Sequence, residues 1–357
     1  MKPRGLLGLI SAVAVLSIVV GGAVLLQRQS GPSVDSQPPT TLAPEGAQAS
    51  AVNPPEAAMI DVAVATLWAE PGQARPLDQP SLTNPVDVKR WLSSMNDSSK
   101  RWLVDKLVTQ VLYGEKVTVI EQRGEWSRIV VPSQPSTLDP RGYPGWLPSV
   151  QLAGDDGPTT RPRVVVTKPT TALREADNAD KAIMELSYNT TLPVIAVGGQ
   201  WITVARPHGG KGLVAASDVE MIGRTRKTPT GPDLVKGAQA FSGLPYLWAG
   251  NSSAGFDCSG LTSTVFAAHG IVIPRDADEQ AAAGTPVDRA HLEPGDLLFF
   301  AGDNGKGAIH HVSMYVGDGQ MIQSPATGRT VETVPVDTPA LAREFWGARR
   351  FLPPPSR

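Results

Sequence analysis

The sequence predicts an α+β domain at its C-terminal end, preceded by two small all-β barrels, the first carrying a helical insertion. Three observations lead there. Two stretches of the middle region repeat one pattern of short strands with apolar residues in every second place, and in each a Gly-x-Trp turn (Gly124-Glu125-Trp126, Gly199-Gln200-Trp201) stands at the same phase. Within the first repeat, apolar residues from Leu77 to Tyr113 recur at helical rather than alternating spacing. From Asp233 onward the pattern becomes helix followed by strands, the order expected of an α+β domain.

The chain opens on Lys2 and Arg4, then runs from Gly5 to Leu26 with almost no polar residue, closed by Gln27-Arg28. That length matches the roughly 20 apolar residues needed to span a bilayer. The flanking cations would hold the N-terminus in the cytoplasm and place the remainder outside. We therefore expect residues 1–28 to be a signal anchor or signal peptide and the protein to be extracytoplasmic, tethered to the membrane or secreted. No small-x-small site follows, which favours the uncleaved anchor. Residues 29–58 turn to Pro, Ser, Thr, Gln and Ala without apolar period, the composition of a disordered linker.

In the first repeat (59–155) the alternation covers Glu115–Ile120 and Ser127–Val131 and closes on Gly145-Trp146-Leu147-Pro148. In the second (160–224) it covers Thr190–Val197 and Ile202–Ala205 and closes on Gly212-Leu213-Val214. The insertion, Leu77 to Tyr113, reads as two short helices. Trp91, Leu92 and Met95 lie on one face, Trp102, Leu103, Leu107 and Val111 on another, with Asn96-Asp97-Ser98-Ser99 as a capped turn. A Pro/Gly/Thr/Lys-rich stretch from Ile222 to Pro232 leads into the last domain (229–353). There Leu234–Phe241 and Gly260–His269 read as helices, and Asp296–Phe300, Val312–Val316 and Met321–Gln323 as strands.

Composition narrows the function. A 357-residue chain with 41% hydrophobic and 18% charged residues can build several cores. A net charge of −2 offers no field for a polyanion, so nucleic acid is not an expected partner. With one cysteine, no internal disulfide can form. No metal-ligand spacing is present and no cofactor is expected; the oligomeric state is not legible.

That cysteine, Cys258, lies in Phe256-Asp257-Cys258-Ser259-Gly260-Leu261, and Ile309-His310-His311-Val312-Ser313 follows about fifty residues later. A thiol becomes a nucleophile as its thiolate, and an imidazole from another element can take the proton it loses. Of five histidines, His208 falls in the second barrel, His269 at a helix end, and His291 in a loop. His310 and His311 remain, on opposite faces of one strand, so only one of them can face the thiol.

Five blocks in order, Gly255-Phe256-Asp257-Cys258-Ser259-Gly260-Leu261, Ile273-Pro274-Arg275, Leu292 to Phe300, His311 to Gly319 and Met321 to Pro325, resemble the NlpC/p60 cysteine peptidases. The two repeats resemble bacterial SH3-like domains, which accompany cell-wall enzymes. The resemblance implies a papain-like core with Cys258 at a helix N-terminus, His311 as base and Gln323 as its orienting partner. A helix N-terminus should favour the thiolate and lower the thiol pKa. Relatives usually carry His in place of Gln323; an amide can accept from the imidazole N–H but brings no charge. Ser313 stands where relatives often have Gly.

The insertion, Thr109 to Glu115, Pro140 to Pro148 and Pro274 to Gln280 further resemble γ-D-glutamyl-L-diamino acid endopeptidases of the YkfC type. These imply hydrolysis of murein peptides bearing a free N-terminal L-Ala. An ammonium-binding pocket needs negative charge and acceptors. Tyr143 and Asp257 match as candidates, the first alternatively a barrel-core aromatic, the second alternatively a helix N-cap. Ser259, Arg275 and Asp276 complete the expected substrate-binding set. Relatives place an acid before the Thr-Gln pair, where this chain has Val108. Two alternatives stand beside this reading: a wall-binding protein with a weakened peptidase domain, and a Cys–His acyltransferase or amidase.

Overall fold

The computed structural model describes residues 56–155, 162–223 and 228–353. The apolar run Gly5–Leu26 and residues 29–55 of the expected linker lie outside the described residues. The linker reading extends three residues too far, because the first strand already begins at Glu56.

The first barrel comprises β1 (Glu56–Ile60), β2 (Val64–Trp68), β3 (Leu107–Leu112), β4 (Lys116–Arg123), β5 (Trp126–Val131), β6 (Tyr143–Pro148) and β7 (Leu152–Gly154). The second comprises β8 (Arg163–Val166), β9 (Thr170–Glu175), β10 (Ala182–Ser187), β11 (Thr191–Gly198), β12 (Trp201–Ala205), β13 (Lys211–Ala215) and β14 (Val219–Ile222). Their sheet orders, β3-β2-β6-β5-β4-β1-β7 and β10-β9-β13-β12-β11-β8-β14, are one order shifted by seven strands. All the pairings are antiparallel. The repeat seen in sequence is thus a repeat of topology.

The insertion between β2 and β3 corrects one expectation. It holds a 3₁₀ turn (Pro76–Ser81) and helices α1 (Val88–Ser93) and α2 (Asp97–Arg101), but the helical reading of Leu107 and Val111 fails. Both belong to β3, paired with β2 through Leu67↔Thr109 and Ala65↔Val111. Leu103, Leu107 and Val111 mimic a helical stripe by their four-residue spacing. Burying Leu107, Thr109 and Val111 in the barrel instead satisfies a strand period, with β-branched residues suited to it. Asn96 does cap α2, accepting from Ser99 N at 2.9 Å.

The insertion builds an aromatic cluster rather than a free appendage. Trp68, Trp91 and Trp146 bury together with Leu103 and Leu107, and the C-terminal domain inserts Leu247, Trp248 and Ala249 among them. The indole of Trp91 is fully buried and donates to Asp78 Oδ1 at 2.8 Å, while Trp248 Nε1 donates to Leu107 O at 3.0 Å. Apolar burial and the Trp248 indole bond together fasten the first barrel to the last domain.

That domain begins with α3 (Gly231–Gln239), capped reciprocally by Thr230 and Asp233. A short hairpin, β15 (Asn251–Ser252) and β16 (Gly255–Phe256), leads into α4 (Cys258–Ala268), followed by α5 (Ala277–Ala282). Strands β17 (Thr285–Val287), β18 (Leu297–Ala301), β19 (Ile309–Gly317), β20 (Gln320–Gln323), β21 (Glu332–Pro335) and β22 (Phe345–Arg350) form an antiparallel sheet in the order β17-β22-β18-β19-β20-β21. Helices α3 and α4 pack on β19, with Phe256, Leu261, Val265 and Phe266 against Phe299, Val312 and Met314. The helix bearing Cys258 therefore lies across the strand bearing His311.

Candidate active site

The local sequence fixes where α4 begins. Asp257 adopts extended backbone and accepts from Gly260 N at 2.6 Å, which makes it the N-cap and Cys258 the first helical residue. Glycine is required at 260 because a Cβ there would lie 2.0 Å from Gly250 O, where the hairpin crosses the helix start. The Asp-Cys-Ser-Gly order is thus a cap, a reactive side chain at the helix end, and a residue small enough for backbone contact.

Behind this helix end sits a buried ion pair. Arg275, 1% exposed, donates to Asp257 Oδ1 at 3.1 Å and Oδ2 at 2.7 Å, to Ser259 Oγ at 2.9 Å, and to Thr109 Oγ1 at 3.1 Å. Two expectations change accordingly. The Asp257 carboxylate borders the cleft but is bound by Arg275 and the helix cap, which take up most of its accepting capacity. The Arg275 guanidinium is spent inside the protein and acts as a strut rather than a substrate ligand. Sequence could not show this, because the partners come from β3 and from two separate segments of the last domain.

Cys258, half-buried, opens onto a cleft of about 550 Å³. Its floor includes Ser259, Ile309 and His311; its other walls bring Asp105, Val108 and Tyr143 from the first barrel together with Tyr246, Trp248, Asp276 and Asp278. Tyr143 is 5% exposed and donates its hydroxyl to Asp276 Oδ2 at 2.8 Å. Tyr143 packs in the barrel core and also lines the cleft. The Asp276 side chain keeps 37% exposure, with Arg275 at 3.7 Å from its other oxygen. Burial raises its carboxyl pKa, and Arg275 opposes that shift.

His311 is 6% exposed, and its Nε2 meets Gln323 Oε1 at 2.7 Å. A carbonyl oxygen only accepts, so Nε2 carries the proton and Nδ1 is the imidazole's basic nitrogen. Burial pushes His311 down to about 4, the Gln323 bond opposing that shift. Its neighbour His310 also borders the cleft but is more exposed and pairs with Glu344 at 3.3 Å. The other histidines are engaged elsewhere: His269 Nδ1 on Val265 O at 2.9 Å, His208 on Asp61 at 2.5 Å across the barrels, and His291 beside Asp288 at 3.8 Å.

The thiol corrects a further expectation. Its pKa is not lowered: burial, then the Asp257 carboxylate, push it up to about 12, outweighing backbone N–H groups of Val312 and Ser259 directed at the sulfur. Burial thus favours the neutral forms of both the thiol and the imidazole that line this cleft. Moving the proton from one to the other creates thiolate and imidazolium together, each compensating the other's charge in a site that stabilises neither alone.

Several supporting residues lie within the stretches that carry the resemblance but were given no role there. Gln280, fully buried, donates to Ser259 O at 3.1 Å and Pro274 O at 2.9 Å, tying the helix start to the Arg275 segment. Gln110 Oε1 accepts from Asn251 N at 3.1 Å and Ser252 Oγ at 2.8 Å, fixing the hairpin ahead of Asp257 to β3. Glu279 accepts from Thr137 N at 2.6 Å and holds α5 against the first barrel. These are ordinary polar residues whose partners lie more than a hundred positions away in all but the Gln280 case.

A nucleophile and imidazole on a helix-against-sheet core, walled by an SH3-like barrel, define a papain-like thiol hydrolase in architecture. Comparison with known proteins agrees. Residues 243–350 match the NlpC/P60 family and residues 166–221 match the YKFC SH3b2 domain. The chain is 45% identical over 303 residues to a gamma-D-glutamyl-L-lysine dipeptidyl-peptidase of Bacillus cereus, covering 83% of this chain and 91% of that one. It is 42% identical over 290 residues to the Bacillus subtilis protein of the same description, covering 81% and 96%. A crystal structure of an NlpC/P60 family protein from Bacillus cereus superposes with a TM-score of 0.81 at 45% identity, covering 84% of this chain and all (100%) of that one. The protein belongs to the NlpC/P60 family.

Proposed function

We propose that the protein is a cysteine peptidase that hydrolyses the γ-D-glutamyl-L-diamino acid bond of murein peptides, releasing an N-terminal dipeptide. The observation that carries this reading is the joint presence, in one cleft, of Cys258 at a helix end, His311 held by Gln323, and the Tyr143–Asp276 pair on the barrel side. The substrate class rests on the relatives, which are described as gamma-D-glutamyl-L-lysine dipeptidyl-peptidases.

In this mechanism His311 Nδ1 takes the Cys258 proton as the sulfur attacks the γ-carbonyl carbon of D-Glu. N–H groups of the first turn of α4 face the oxyanion, a contribution of about 2.7–4 kcal/mol per donor in enzymes where it has been isolated. The C–N bond then breaks, and the imidazolium returns its proton to the departing amine. Water, deprotonated by His311, cleaves the thioester and restores the thiol.

The barrel wall limits the substrate at its N-terminal side. Asp276 and Tyr143 offer acceptors for a free ammonium, and Asp105, on the same wall as Val108, supplies a carboxylate three positions before the residue where relatives carry an acid. The Ser259 side chain and the helix end border the position of the D-Glu residue. We further propose that Gly5–Leu26 carries the enzyme across the membrane and keeps it there, since its length suits a span and Lys2 and Arg4 suit a cytoplasmic N-terminus.

Incubation of the purified protein with L-Ala-γ-D-Glu-L-Lys and with its N-acetyl form, followed by mass spectrometry, tests the proposal. Free dipeptide and lysine are expected from the first and not from the second, with no products from Cys258→Ala. Intact free-amine peptide would refute the peptidase reading, and equal cleavage of both would refute ammonium recognition.

A further inference from the structure

Gln323 has a second partner that no motif marks. Glu332 lies directly opposite it in the β20–β21 register, and Gln323 Nε2 donates to Glu332 Oε1 at 3.1 Å. Arg329 donates to the same oxygen, so the carboxylate is anchored from the solvent side, with 26% of its side chain exposed. The imidazole, amide, carboxylate and guanidinium thus form one chain of hydrogen bonds running from the cleft to the surface.

An amide is a two-ended group. Rotated by half a turn, Gln323 would present its NH₂ to His311 and its oxygen to Glu332. A carboxylate accepts only, so that arrangement sets two acceptors against each other at the Glu332 end. At the other end an amide NH₂ would pair with an imidazole lone pair on Nε2, which moves the ring proton to Nδ1 and removes the base from the side needed for Cys258. A histidine at position 323 would bring its own ring N–H; a glutamine needs something to tell its ends apart.

We propose that Glu332 is a positioning residue for the hydrolytic reaction: it fixes the orientation of the Gln323 amide and thereby the Nε2–H tautomer of His311. It also places an acceptor charge at the end of the chain, where hydrogen bonds polarise one another as imidazolium forms. The inference rests on the reading of Cys258 and His311 as the reacting pair. The other charged or titratable groups acting on His311 are His310, Glu344 and Arg329, none of which bonds the amide.

The test is Glu332→Gln, which keeps the size and can still accept from Gln323 but loses the charge and tolerates either amide orientation. We expect kcat on L-Ala-γ-D-Glu-L-Lys to fall about tenfold with KM little changed, and Glu332→Asp to retain most activity. In a Gln323→Ala background the same substitution should add nothing, because the intermediary is gone. A loss of equal size in that background would make Glu332 merely structural, and no loss in the wild-type background would overturn the proposal. A readout independent of turnover separates this from failure of the peptidase reading. In Cys258→Ala, imidazole ¹⁵N shifts should report one Nε2–H tautomer for His311, and a mixture once Glu332→Gln is added. An unchanged single tautomer would equally overturn it.

Discussion

Replacing Arg275 by methionine removes the strut behind the helix end while roughly preserving its volume. Asp257, 8% exposed, would lose both bonds to the guanidinium and keep the cap bond from Gly260 and a long bond from Ser259 Oγ at 3.4 Å. Breaking one side of a buried ion pair costs roughly 3–5 kcal/mol, chiefly through the charge left uncompensated. That corresponds to a fall in Tm on the order of 10 °C, measurable by calorimetry or denaturant unfolding. The same substitution leaves a bare carboxylate beside the thiol, which should raise the thiol pKa further and slow alkylation by iodoacetamide. Asp257→Asn acts with the opposite sign on the sulfur, since Asp257 is among the groups holding it up at about 12, so the alkylation midpoint should move down. The double substitution, Asn with Met, removes the buried charge at 257, leaves only the partly exposed Asp276 without its Arg275 contact at 3.7 Å, and should recover more than half of the lost stability. Arg275→Met within about 1 kcal/mol of the wild type, or a double variant no better than the single one, would refute the view that charge compensation, rather than packing, is what Arg275 supplies.

Other outcomes follow from the same geometry. Because burial holds His311 at about 4, its imidazole stays neutral above that value, and kcat/KM should keep its base until the pH falls through about 4. A rate that collapses near the ordinary histidine value of 6.5 would contradict this. The linked stability has the same sign: the folded value lies below the unfolded one, so this group's contribution is complete above about 6.5 and declines as the pH falls toward about 4. Tyr143→Phe keeps the buried ring but loses the bond to Asp276, so KM for the free-amine peptide should rise about fivefold, the equivalent of one hydrogen bond of about 1 kcal/mol, in steady-state kinetics. Gly260→Ala must displace either the helix start or Gly250, whose carbonyl would lie 2.0 Å from the new Cβ. A shift of that order at Cys258 should lower kcat/KM by about 100-fold, and near-normal activity would show that the helix end is not held by this contact.

Much of the site was legible in one dimension because its parts are local. The Asp-Cys-Ser-Gly run encodes a cap and a helix start within four residues, and alternation along Ile309–Gly317 separates His310 from His311. The barrels announced themselves by repetition, and their strand orders coincide. Where the reading failed, locality misled: Leu103, Leu107 and Val111 repeat at helical spacing, yet β3 is a strand because β2 pairs with it. The expected fall in the thiol pKa came from the helix end alone, and the burial and the Asp257 charge that outweigh it are properties of the assembled site.

By itself the sequence determined which residues could carry the chemistry: one thiol, and two adjacent histidines on opposite faces of a strand, of which only one could face it. Only the tertiary structure decided which carboxylates are free. Asp257, Asp276 and Glu332 are chemically alike as carboxylates, but Arg275 claims the first, Tyr143 and the cleft share the second, and Gln323 binds the third. The reason is physical: the availability of a charge depends on its partners and its solvent, and here those partners arrive from strands and loops that the chain order keeps apart.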